Sequence, residues 1–94
     1  MVGSKNNTLR GARLLKSDRA KAVKRQFTNN PNIWLSAKQI SQMIITEGRY
    51  KWGMSSIQIS QFIRRMIKVA DEPIRTKLNN TTQHTLLYLY EVDE

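Results

Sequence analysis

The sequence contains no cysteine, a single histidine, two prolines and four glycines among 94 residues. Without cysteine there is no disulfide and no thiolate metal site, which fits a reducing compartment. The one histidine, His84, has no second histidine, cysteine or acid beside it in sequence, so no metal centre or catalytic base is expected there. A glycine-rich phosphate loop is missing, and the only close carboxylates are Asp71-Glu72 and the acidic end at Glu91, Asp93 and Glu94. The chain therefore reads as no enzyme and as carrying no cofactor. No apolar run approaches the roughly 18 residues a membrane-crossing helix needs, and the polar first seven residues hold no secretory-type hydrophobic stretch. A cytoplasmic location is expected, at the nucleoid if the source is bacterial.

Acidic residues are also scarce: seven Asp and Glu stand against sixteen Lys and Arg, a net charge of +9. The excess is uneven. Lys5, Arg10, Arg13, Lys16, Arg19, Lys21, Lys24 and Arg25 crowd the first quarter against the single acid Asp18. A domain this basic attracts polyanions, with nucleic acid foremost. The 39% hydrophobic content suffices for one modest core, so residues 9–94 are read as one domain preceded by a flexible basic arm at 1–8.

Periodicity places the elements. Over 9–27 the pattern is helical, with Ser17-Asp18 as a start signal and Ala20, Val23 and Phe27 on one face. Pro31 ends that helix by pushing Asn30 out of helical backbone. Ile33-Trp34-Leu35 suits a short strand. Ser36-Ala-Lys-Gln39 is a capping box that opens a second helix with Ala37, Ile40, Met43 and Ile44 inward, and Ser55-Ser-Ile-Gln58 repeats it. The third helix, 55–69, carries Ile59, Phe62, Ile63, Met66 and Ile67 on its apolar face, and Asp71-Glu72-Pro73 stops it. Residues 74–78 alternate apolar and polar, 85–92 are rich in Leu and Tyr, and the polar stretch between them is turn composition, so the end reads as a hairpin. This order predicts an α+β fold of the winged helix-turn-helix type: three helices, a short strand and a C-terminal two-stranded hairpin wing.

In that fold the second helix of the pair enters the major groove, so 55–69 is the expected recognition helix. Gln58 and Gln61 are the expected base readers, because a carboxamide matches an adenine edge with both donor and acceptor; Ser56 and Arg65 join them. Arg64 and Lys68 are assigned to phosphate, together with Lys21, Lys24 and Arg25 of the first helix and Lys38 of the second. Arg75, Lys77, Asn79 and Asn80 of the wing complete that set with Arg49 and Lys51. The stretch 46–54 is longer than the about four residues of a tight helix-turn-helix. Its Trp52 is either folded onto the core or presented to a protein partner, as are Tyr88 and Tyr90 on the last strand.

Trp34-Leu-Ser-x-x-x-Ile40-Ser, the pairs Phe62-Ile63 and Arg64-Arg65, the strand start Ile74-Arg75 and the closing Leu87-Tyr-Leu-Tyr-Glu-Val92 resemble the CaiF/GrlA type of enterobacterial transcriptional regulators. The likeness covers about residues 33–92. It implies a small winged-helix DNA-binding activator, in some members controlled by a partner protein, with 55–69 as recognition helix and Trp34 in the core. The expected partner is double-stranded DNA, with a homodimer or regulatory protein as a second partner and neither a membrane nor a small-molecule ligand. Two competing readings remain: a winged-helix adaptor docking on RNA polymerase or another regulator, which needs Trp52, Tyr88 and Tyr90, and an RNA-binding protein acting through its basic N-terminal region.

Overall fold

The computed structural model describes residues 15–79 and 85–93. The arm expected at 1–8, residues 9–14 of the expected first helix, and Asn80 and His84 lie outside the described residues, while 15–17, expected as helix, form a turn. Helix α1 spans Asp18–Asn29. The Ser17 hydroxyl accepts from the Ala20 amide at 3.2 Å, and Asp18 puts negative charge where the helix dipole favours it. Val23 and Phe27, four residues apart, are fully buried, with Ala20 and Ala22 beside them. The helix closes when the Asn30 amide returns to the Phe27 carbonyl at 3.1 Å. Asn32 then takes the left-handed conformation (φ 59°), which asparagine tolerates better than most residues. Its backbone N–H donates to the Tyr90 carbonyl at 2.8 Å. Its side chain both donates to the Val92 carbonyl and accepts from the Val92 amide, each at 3.0 Å. One residue thereby fastens the turn after α1 to the end of the last strand.

Strand β1 is Leu35–Ser36, not 33–35. Pairing begins only where Leu35 stands opposite Tyr88, and Ile33 lies exposed before it. Ser36 also caps helix α2, Ala37–Glu47. Its hydroxyl accepts from the Gln39 amide at 3.1 Å while the Gln39 carboxamide oxygen accepts from the Ser36 amide at 2.8 Å. Gly48 ends α2 at φ 69°, a conformation that a side chain would strain. Helix α3 covers Ser56–Lys68, with Ser55 and Gln58 forming the second capping box and Arg65 and Lys68 at its negative C-terminal end. Past Asp71 (φ 51°) the Glu72 amide reaches back to the Met66 carbonyl at 3.0 Å. Strands β2, Ile74–Asn79, and β3, Thr85–Tyr90, follow.

The sheet is antiparallel in the order β1-β3-β2, so the last strand is the central one. Tyr88 pairs with Leu35 on one side and Thr76 on the other. Its ring is buried with Ile74 and Leu35 against the helices, joining Phe27, Ile40, Ile44, Ile59 and Ile63 in one core. The described residues thus form a small α+β domain of three helices and a three-stranded antiparallel sheet. None of the described helices is long and apolar enough to cross a membrane.

Candidate nucleic-acid interface

Helix α3 separates two faces cleanly. Ile59, Ile63 and Met66 are buried, whereas Ile57, Gln61, Arg64 and Lys68 are all exposed. The exposed four follow one another at steps of four, three and four. At about 100° per residue they form a single stripe opposite the core. Ser56 and Ser60 flank it, and an open recess is lined by Ser56, Ile57, Ser60, Gln61 and Arg64. A second recess toward the C-terminal end is lined by Gln61, Arg64, Arg65, Lys68 and Val69. The face is therefore polar and cationic along its length, with one large apolar side chain near its start.

The residues expected to read bases separate in this geometry. Gln61 lies in the outward stripe. Gln58 is exposed, but its carboxamide oxygen is engaged by the Ser55 amide at 3.1 Å, so its acceptor is committed to the cap rather than open to a base edge. The cap therefore competes with a base edge for that oxygen, since bidentate pairing with adenine needs acceptor and donor together. Arg65 is half-buried, with its guanidinium 5.6 Å above the Phe62 ring, and sits beside the stripe. Ser56 is exposed at the first helical position.

The basic residues divide likewise. Lys21, Lys38 and Lys51 are exposed. Lys24 holds Glu72 at 3.1 Å, and that same carboxylate accepts from the Tyr90 hydroxyl at 2.9 Å. Burial, then the hydrogen bond and the charge of Glu72, raise the Tyr90 phenol above its ordinary value. Arg25 is half-buried, its Nε enclosed and without a hydrogen-bond partner. Arg49 lies 4.0 Å from Glu47, and Arg75 lies 3.6 Å from Glu91. Both pairs are at the surface, where such contacts hold their partners weakly. Lys77 sits 4.3 Å over the Trp34 ring, so that indole is a half-buried platform for a cation rather than the core residue that the family resemblance implied. Asn79 closes β2 opposite Thr85.

The long stretch after α2 is not a free loop. Tyr50 and Trp52 stack at 4.4 Å, Arg19 of α1 lies 4.6 Å over the Trp52 ring, and both aromatics pack against the core. Met54 is buried behind them, its carbonyl accepting from the Ser41 hydroxyl at 2.6 Å. Of the two readings of Tyr88, burial and a partner contact, the structure shows burial: it is a core residue at 3% exposure, with helices on one side and paired strands on both edges. Tyr90 stacks at 6.1 Å with Phe27 and is half-buried.

Sequence reasoning passed over Ile57, which is the most exposed large hydrophobic residue described, at 70%. Its spacing of four from Gln61 and seven from Arg64 was the available signal. No protein-family model, curated protein or solved structure matches the chain.

Proposed function

We propose that the protein is a sequence-specific DNA-binding transcription regulator of the winged helix-turn-helix type. In this reading α2 and α3 are the helix pair, α3 is the recognition helix, and the β2–β3 hairpin is the wing. The observation that carries this reading is the outward stripe of α3, where Gln61, Arg64 and Lys68 stand in line directly opposite the buried Ile59, Ile63 and Met66. A helix presenting a carboxamide followed by cations along one free face has the chemistry of base reading and, further along, of phosphate contact. The net charge of +9 supplies the long-range attraction. The element order also fits the type, with β1 and the hairpin sharing one sheet.

Binding measured by fluorescence anisotropy tests it, using duplexes enriched from a random pool against unselected duplex. A preference of about a thousandfold or more, largely lost in Gln61→Ala, supports regulation by base reading. Equal binding to all duplexes with a steep salt dependence removes it and leaves nonspecific polyanion binding, RNA included. The docking-adaptor alternative is weakened because Tyr88 is enclosed and Trp52 is occupied by Tyr50 and Arg19.

A further inference from the structure

Ile57 has no structural use in the described fold. It is 70% exposed, while the buried residues of α3 lie on the opposite side of the helix. It occupies the second position of α3, one turn before Gln61 on the same stripe. The neighbouring Ser56 and Ser60 are small and leave Ile57 exposed, and with Gln61 and Arg64 all three line one open recess. Charge says what meets this face: Arg64 and Lys68 continue the stripe, and the whole chain carries +9. The complementary partner is a polyanion rather than an apolar protein surface.

Resting on the reading of α3 as a recognition helix, we propose that Ile57 is a specificity-determining residue that reads the C5-methyl group of a thymine in the major groove. The chemistry follows from what isoleucine lacks. It has no donor or acceptor, so against guanine, adenine or cytosine it strips water from polar base atoms and returns nothing. The thymine methyl is the one apolar feature on a major-groove edge of unmodified DNA, and burying it against a branched aliphatic side chain is favourable. β-Branching holds χ1 of Ile57 nearly fixed, so its methyls are presented in one place with little rotamer freedom left to lose. Four residues of helix advance about 6 Å, and successive base pairs lie about 3.4 Å apart. The thymine therefore falls within about two base pairs of the adenine paired by Gln61.

The test begins with selection of duplexes from a random pool by the full chain. Each thymine of the enriched duplex is then replaced singly by deoxyuridine, which removes the C5-methyl and nothing else. One such replacement, within two base pairs of the adenine whose recognition Gln61→Ala abolishes, is expected to weaken wild-type binding about fourfold, the effect of one buried methyl. The same replacement is expected to change binding by Ile57→Ala less than twofold, and Ile57→Val, which keeps a branched methyl pair, is expected to retain part of the sensitivity. Unchanged thermal unfolding of Ile57→Ala shows that the comparison is made on a folded protein. If no deoxyuridine position matters, or if the same one matters equally with Ile57→Ala, the proposal is overturned while base reading by Gln61 stands. If the pool yields no enriched sequence at all, the regulator reading falls and this inference falls with it.

Discussion

At the scale of single residues, two glutamines of the same helix part company. Gln58 and Gln61 are alike in sequence, both on the polar side of 55–69, yet Gln58 is engaged by the Ser55 amide and Gln61 is not in the cap. Gln58→Ala is expected to lower stability by about 0.5–1 kcal/mol through the lost cap, seen as a lower midpoint in urea. Gln61→Ala is expected to leave that midpoint unchanged and to act on DNA preference alone. Gly48 marks a different kind of constraint: at φ 69°, Gly48→Ala is expected to cost about 1 kcal/mol even though an added Cβ meets only the Thr46 carbonyl oxygen, at an ordinary 3.9 Å. Tyr90 gives a pH signature. Its neutral phenol is favoured in the folded state by burial and by the hydrogen bond to Glu72, so its folded pKa is raised. Below the ordinary tyrosine value near 10 this contribution is fully present. As pH rises past it, the unfolded chain releases its proton first, and stability falls until the folded phenol ionises. Unfolding followed from pH 8 to 11 is expected to show a shallower alkaline decline in Tyr90→Phe than in the wild type.

At the scale of elements, the local chemistry was legible because it is local. Both capping boxes form as written, since each needs only a serine and a glutamine three residues apart. Strand β1 starts two residues later and ends one later than its apolar run suggests, because its position is set by pairing with β3, some fifty residues away. The same non-locality hid the fate of Tyr88: alternation assigns it a face, but only the central place of β3 encloses it. For the 46–54 stretch, packing of Trp52 onto the core is one of the two readings the sequence allows, but its cover by Arg19 of α1 is not readable there. Trp52→Ala is expected to lower stability by about 1–2 kcal/mol and to speed amide exchange in the residues after Gly48, since a half-buried indole and its stacked partner are lost together. Unchanged exchange there would mean that the stack does not hold the loop.

At the scale of the whole molecule, charge is the property that the sequence states most plainly and locates least well. Sixteen cations favour a polyanionic partner, but salt pairs at Lys24 and Arg75, enclosure of the Arg25 Nε and the stacking of Lys77 are visible only in three dimensions. Among them Arg64 and Lys68 share the outward stripe of α3 without a salt bridge to an acid of the described residues. Replacing both by alanine is expected to reduce the slope of log affinity against log salt by about 1.8, two phosphate contacts' worth, with little change in which duplex is preferred.

Whether α3 meets DNA through its outward stripe is decided by amide chemical-shift mapping of the full chain during titration with an enriched duplex. The largest shifts and broadening are expected on Ile57, Gln61, Arg64 and Lys68 and their immediate neighbours, weakening as salt is raised. Shifts confined to the α2 recess of Leu35, Gln39 and Met43, with α3 unmoved, would overturn that reading.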